Sequence, residues 1–449
     1  MHDSSPTMKT PGPPALPLVG HAPAFLRDKL GFLARCAAEY GDVVQLDIGG
    51  RTYLVSGPDD IKHVLVSKSD NYEKTARLTS ARRRRFFGDG LVTAMGPAHL
   101  RQRRMLQPSF HRSVIARFAG VITAAADEML DRWEPDAVID IHERMLDVTR
   151  RITLRSLFAI ESDAKLEALG SAVSTRRRYQ EYLLGSVLPF ADRLPTRLRR
   201  RHEHADREID AFIRDAIHHR RSSSVRGDDL LQLLMQATFD DGSHMDDQQI
   251  RHEVRSLTVA GFETVAEALT WAWFLLAQFP ATESAIISEV SAVSGNRSLD
   301  AADLPSLPYC RMVLAEAMRL YPPTWLFVRV AQEDDVLPSG THIPAGSKIY
   351  LSQWVIHRNP RFFPNPETFD PDRFAEDAIR SRPRYSYLPF GAGRRLCIGE
   401  EFAWMQGVLL LAAIARRTRL QLVAGQTVVP EPNVTLRPRN GIRMRVLGR

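Results

Sequence analysis

Phe390-Gly391-Ala392-Gly393-Arg394-Arg395-Leu396-Cys397-Ile398-Gly399 is the stretch on which the reading of this 449-residue chain turns. Two glycines before the cysteine and one after it remove Cβ atoms and let the backbone approach a large flat ligand. An apolar helix is expected to follow, from Glu400 to Arg417, so Cys397 is placed at a helix start, where free N–H groups and the positive dipole end favour a thiolate. Arg395 adds a cation able to pair a carboxylate on the same ligand, and Phe390 offers the sulfur an apolar shield. A lone cysteine cannot build a zinc or iron–sulfur site, which takes about four ligands. Cys36 and Cys310 have no Cys-x-x-Cys partner. One soft donor on a loop shaped for a planar ligand points to haem iron.

Composition narrows the field. With 44% hydrophobic residues the chain can bury a large core, and no repeat or long linker divides it. Three widely separated cysteines argue against a disulfide framework and for a reducing compartment, so a soluble, cytoplasmic protein is expected. The segment Met1–Pro14 is polar and proline-rich, without the apolar core of a signal peptide or anchor. The apolar runs at Leu269–Phe279 and Val408–Ala415 fall short of the roughly 18 residues of a spanning helix. Net charge is +7, yet seven lysines stand against 53 arginines. That skew reads as a genomic habit and weakens a nucleic-acid reading, which needs basic residues gathered on one face with aromatics between them. The run Arg82-Arg83-Arg84-Arg85 is the best such candidate, and a solvated helix face explains it as well.

Along the chain, Pro11–His21 reads as a stiff extended lead-in, and Leu26–Tyr40 as a helix stopped by Gly41. Val43–Ile48 and Arg51–Val55 flank Gly49-Gly50 as a hairpin. Asn71–Met95 shows no clear period, which marks a long irregular stretch. Gly96–Arg104 opens a helix with proline in its first turn. His99 and Arg103, at i and i+4, share a face that could bind a carboxylate, although a basic solvated face has the same spacing. Two long helical patterns follow from Phe110 to Ile160. A second pair, Lys165–Leu188 and Arg197–Arg221, has charged faces and a proline break that suit a mobile lid. Asp246–Phe279 is the longest helical pattern and carries Ala260-Gly261-Phe262-Glu263-Thr264 at its middle. Glycine there costs about 1 kcal/mol against alanine, and Thr264 can bond back to the Ala260 carbonyl and bend the helix. Approach of a flat ligand and close helix packing against Gly261 explain the glycine equally. Leu307–Leu320 is a helix closed by Pro322-Pro323, with Glu316 and Arg319 on one face, and Trp325–Val330 reads as a strand. Leu420–Leu447 reads as short strands and turns.

Taken residue by residue, the opening stretch is a strand–turn–helix with a buried cysteine, the commonest fate of a free thiol. Taken as a string, Phe-x-x-Gly-x-Arg-x-Cys-x-Gly resembles the cysteine-ligand loop of the cytochrome P-450 family, soluble bacterial type, and the other motifs fall in that family's order from about residue 11 to the end. The resemblance implies a mainly α fold with a small β lobe and haem b (iron protoporphyrin IX) between the long central helix and the Cys397 loop and helix. It implies a lead-in over 1–24 and one domain over 25–449, whose β-rich lobe covers about 41–70 and 326–352. Cys397 would be the axial iron ligand, with Phe390 and Gly391 beside it. His99, Arg103, Arg329 and Arg395 would hold the propionates, and Ala260 and Gly261 would admit the porphyrin. Thr264 and Glu263 would be the alcohol and acid of oxygen activation. Glu316, Arg319 and Arg373, the last from Pro371-Asp372-Arg373-Phe374 with the family's Glu shortened to Asp, would lock the cysteine loop.

The implied reaction is insertion of one oxygen atom from O2 into a C–H bond of a lipophilic small molecule, with a terpenoid, fatty-acyl or polyketide skeleton. Pocket residues would be Phe86, Phe87, Leu91, Val92, Ala260, Trp325, Leu326 and Phe327. Electrons would come from a separate ferredoxin or flavodoxin with its reductase, docking on basic residues such as Arg394, Arg416 and Arg417, and neither nucleic acid nor a membrane anchor is expected. The alternatives are a peroxide-dependent peroxygenase, a non-catalytic haem-binding sensor or carrier, and a haem-free helical binding protein.

Overall fold

The computed structural model describes residues 10–75, 88–160, 162–185, 196–222, 227–295 and 297–448. Its longer helices are α1 (Lys29–Tyr40), α2 (Gly96–Leu106), α3 (Ala119–Leu130), α4 (Ile141–Phe158), α5 (Asp163–Gly185), α6 (Arg197–Ser222), α7 (Asp247–Leu276), α8 (Pro280–Ser294), α9 (Pro308–Leu320) and α10 (Glu400–Arg417). The strands used below are β1 (Val43–Asp47), β2 (Arg51–Val55), β3 (Tyr72–Glu73), β4 (Val138–Asp140), β5 (Phe327–Ala331), β6 (Lys348–Leu351), β7 (Arg419–Leu422) and β8 (Arg443–Leu447). The chain packs as two compact units, one of Met1–Thr79 with Met318–Cys397 and one of Ser80–Ala317 with Ile398–Arg449.

The first unit is built on a five-stranded sheet in the order β1-β2-β6-β5-β3. The expected hairpin forms, with Val43 opposite Val55 and Asp47 opposite Arg51. Its turn needs the glycines, since Gly49 and Gly50 have φ of +63° and +112°. β2 runs parallel to β6, and Lys348 of β6 donates to the Ile48 and Gly49 carbonyls at 3.1 and 2.6 Å, tying the hairpin turn to the sheet. Val55, Ile61, Leu65, Ile349, Leu351 and Ile356 form the core, and Leu388 and Ala392 of the cysteine loop belong to it. The loop is thus anchored by apolar burial, worth about 25 cal/mol per Å². The helix expected over 26–40 is broken at Asp28, whose carboxylate accepts the Gly31 N–H at 2.9 Å and so caps α1 afresh.

The second unit is organised on α7. Asp246 caps it by accepting the Gln249 N–H at 2.7 Å, and α4 packs along it. A buried pair, His142 Nε2 to Glu267 Oε1 at 2.9 Å, ties the start of α4 to α7. Burial by itself would lower the His142 pKa, but the Glu267 charge and hydrogen bond outweigh it and raise it. Strand β4 pairs with β8, which pairs with β7; three residues between two helices gave no readable alternation. Among the described residues α7 is also the helix long and apolar enough to cross a membrane by length and composition, and most of it is buried in the protein. The proline break expected in the α5–α6 lid, and Arg82–Arg85, lie outside the described residues.

Candidate active site

The cysteine loop is cinched by its own backbone. Cys397 N–H donates to the Phe390 carbonyl at 3.0 Å, Leu396 N–H to Gly393 at 3.0 Å, and Gly391 N–H to Leu388 at 3.1 Å. Gly393 has φ of +66°, and a Cβ there would overlap the Leu65 carbonyl oxygen. Gly391, at φ of +79°, lies against the Phe327 ring. The result is an exposed Cys397 thiol, whereas Cys36 and Cys310 are buried. Burial pushes the Cys36 thiol up to about 11 and raises that of Cys310 as well, which leaves both as inert packing. One expectation is corrected: Cys397 is not in the first turn of α10. Gly399 is its N-cap, two residues beyond the cysteine, and Glu400 and Glu401 already occupy the dipole's first turn. The dipole therefore contributes little to a thiolate at Cys397.

Among the described residues no group of three or more His, Cys, Asp or Glu side chains could hold a metal ion. A metal at Cys397 must bring its other donors with it, as a porphyrin does. The same unit supplies the matching cations. Arg329 is buried on β5, and burial, then the charge of Arg395, lower its pKa to about 10. Lys74 is lowered to about 7 by burial and by Arg395 and Arg329, with Glu73 offsetting only part. Cations pressed together out of water are stable when an anion joins them, and the carboxylates of a propionate-bearing macrocycle fit that requirement. The residues present therefore fit haem.

Sequence reading missed Lys74 and Glu73, which lie in the aperiodic stretch. Arg395, expected beside a ligand carboxylate, also pairs with Glu73 at 3.0 Å. The basic docking residues are corrected too. Arg394 pairs with Asp70 and, at 3.1 Å, with Glu73. Arg416 reaches the Arg297 carbonyl and Asp127, and Arg417 meets Asp131 at 2.7 Å. Each is neutralised within its own unit. On α2 the basic residues split between faces: Arg101 and Arg104 face solvent and pair with Asp241 and Asp240 at 3.0 and 3.3 Å, whereas His99 is buried and Arg103 half-buried.

On α7, Thr264 Oγ1 donates to the Ala260 carbonyl at 3.2 Å, as its spacing predicts. Ala260 is exposed and Thr264 half-buried on a helix whose middle is otherwise mostly buried. Gly261 belongs elsewhere, because a Cβ there would meet Thr153 of α4 at 3.3 Å. Its role is helix packing, which corrects its assignment to the porphyrin. Glu263 is buried and accepts from Thr435 Oγ1 at 2.7 Å, so this acid is held by the C-terminal segment, a partner no local pattern announces.

Glu316 and Arg319 are fully buried. Arg319 donates to the carbonyls of His357, Pro366 and Thr368 at 3.0, 2.7 and 3.1 Å, and Arg373 to that of Asn365 at 3.1 Å. The His357 ring accepts the Leu388 N–H at 2.9 Å, and the Gln353 amide donates to the Leu388 carbonyl. Burial and the Arg319 charge hold the His357 pKa well below its usual value, so the ring stays a neutral acceptor. His357, unremarked in the sequence, thus connects Arg319 to the base of the cysteine loop. Of the pocket residues, Trp325 and Leu91 are buried, Leu326, Phe327 and Val92 are half-buried, and Phe86 and Phe87 lie outside the described residues.

A family model described as Cytochrome P450 matches residues 10–445. The cyclooctatin synthase of Streptomyces melanosporofaciens is 37% identical over 435 residues, covering 95% of this chain and 93% of that protein. The cyclooctat-9-en-7-ol 5-monooxygenase of the same organism is 35% identical over 421 residues, covering 93% and 90%. Among solved structures, a cytochrome P450DA heme domain superposes with a TM-score of 0.87 at 22% identity, covering 98% of each chain.

Proposed function

The chain belongs to the cytochrome P450 family, and from that premise we propose that it inserts one oxygen atom of O2 into a C–H bond of a carbocyclic terpenoid. The observation that carries the substrate class is the kinship, over nearly the whole chain, with two Streptomyces enzymes named for the cyclooctatin skeleton. Haem b, the cofactor of the family, supplies oxygen activation, and a thiolate ligand pushes electron density that favours O–O cleavage.

The chain's own residues then divide the work. Cys397, presented by a loop that two left-handed glycines make possible, would hold the haem iron through its sulfur. Arg329, Lys74 and Arg395, with His99 and Arg103 of α2, would hold the propionates, and their local excess of positive charge supports that reading. The Thr264 hydroxyl, parked on the Ala260 carbonyl, would hold a proton on the exposed stripe of α7. Glu263, kept in place by Thr435, would resupply it. Trp325, Leu326, Phe327, Leu91 and Val92 would orient an apolar skeleton and exclude water, and Arg319, His357 and Gln353 would hold the loop in register. Two electrons per turnover would come from a ferredoxin or flavodoxin with its reductase.

The test is turnover with ferredoxin, reductase and reduced nicotinamide against cyclooctat-9-en-7-ol and a terpene hydrocarbon panel. A product heavier by one oxygen, labelled from 18O2, supports the reading. Turnover of fatty acids with none of the terpenoids contradicts it.

A further inference from the structure

Residues 88–95 sit directly on the N-terminal half of α7. Gly88 has φ of +69°, and a Cβ there would lie 3.0 Å from the His252 backbone. At Gly90 a Cβ would come within 2.7 Å of Glu253 Oε2 and 2.8 Å of Ser256 Oγ. Thr93 closes the loop on itself, its hydroxyl donating to the Gly88 carbonyl at 2.6 Å and its N–H to the Gly90 carbonyl at 3.0 Å. The fastening is Glu253, which is fully buried. Its Oε2 accepts the Leu91 N–H at 2.8 Å, and its Oε1 accepts the Gln249 amide at 2.6 Å.

We propose that Glu253 is a positioning residue for substrate selection: it fixes the backbone at Leu91 and with it the apolar wall that Leu91 and Val92 present to the substrate. This rests on the reading of those two residues as pocket lining. The glycines show that the loop was built for close approach to this turn of α7, since a side chain at either position would lift it off. A buried carboxylate that accepts two hydrogen bonds also has a cost that a neutral amide would not have. The tie is therefore conditional on protonation.

Burial pushes the Glu253 carboxyl up to about 7, with the hydrogen bonds from Leu91 and Gln249 working against it. The charged groups of the neighbourhood, Asp89 of the loop, Arg251 and Arg255 of α7 and Asp210 of α6, act on His252, which burial and the arginines lower. An acid whose pKa is raised in the closed state favours closure while it is neutral. As pH rises from 4.5 towards 7 the carboxyl ionises more readily in an opened loop, where hydration is the cheaper way to hold the charge. Closure is therefore expected to be strongest below pH 4.5, to weaken about tenfold per pH unit from there to about pH 7, and to change little above it.

The experiment is hydrogen exchange at the Leu91 amide of the haem-loaded protein at pH 6 and pH 8.5, corrected for intrinsic rates. The dissociation constant of 4-phenylimidazole, an apolar azole read by its spectral shift, is measured alongside. Wild-type protection should fall about tenfold between the two pH values, nearly all of it by about pH 7.5. Glu253→Gln keeps an acceptor without the charge, so its protection and azole affinity should be independent of pH. Glu253→Met removes the acceptor and should lose about tenfold protection at both pH values, with weaker azole binding. Gly90→Ala keeps the Glu253 side chain but drives a Cβ against its carboxylate and lifts the same backbone, and should behave like Glu253→Met.

Equal Leu91 exchange in all four proteins would overturn the proposal. So would loss of protection in Glu253→Met with unchanged azole affinity, because the loop would then be tied without walling the pocket. Failure of the wild-type protein to bind the azole would contradict the haem-pocket reading instead, with Leu91 exchange still deciding the tie.

Discussion

The cysteine loop and the middle of α7 both advertise themselves by glycine, yet the structure uses the two glycines for different ends. At Gly393 the backbone is left-handed and pressed on the Leu65 carbonyl, so no other residue fits. At Gly261 the backbone is ordinary helix, and the missing Cβ only lets Thr153 of α4 come close. The loop glycine shapes the backbone that carries Cys397, while the helix glycine serves packing against α4. A glycine in a motif thus marks a close approach, and only the identity of what approaches tells function from packing.

Gly393→Val should have the largest effect: a positive φ and a backbone clash together should cost about 3 kcal/mol or more, read as loss of haem incorporation and a lowered Tm. Thr264→Ala should leave haem binding intact and cut product formed per reduced nicotinamide about tenfold or more, with the electrons lost to peroxide or water. An equal loss of haem would show that α7 carries structure at that position and not chemistry.

Lys74→Met tests the cation cluster. With its pKa depressed from 10.5 to about 7 in the folded protein, Lys74 weakens the apoprotein most below pH 7, and that penalty is relieved as pH rises from 7 towards 10.5. Removing it should raise the apoprotein's Tm at pH 6.5 while accelerating haem loss a few-fold. A lower apoprotein Tm would contradict the reading of an anion site. Gly261→Ala should have the smallest effect, within about 1 kcal/mol of wild type, because gained helix propensity offsets a 3.3 Å contact that Thr153 can relieve. A large effect on activity at unchanged stability would return Gly261 to the ligand face.

What the sequence made legible was local. The hairpin, α7 and the cysteine loop are contiguous patterns whose spacing carries their geometry, and the back-bond from Thr264 to Ala260 follows from helix periodicity. What stayed hidden is long-range pairing. His357 and Leu388, Glu263 and Thr435, and Lys74 with Arg395 meet only after the chain folds, and no periodicity links them. The same limit misdirected the reading of Arg394, Arg416 and Arg417, since a cation in a sequence does not show the aspartate that will neutralise it. The expected thiolate at a helix start failed by two residues, because Gly399 and not Cys397 caps α10.

Whether Cys397 ligates the iron, and the loop exists to present it, is decided by the absorption spectrum of the reduced, carbon monoxide-bound protein beside that of Cys397→Ser. A strongly red-shifted Soret band is expected in the wild type and should be absent from the variant. A red-shifted band that survives the substitution, or a wild-type band typical of histidine ligation, would contradict ligation by Cys397.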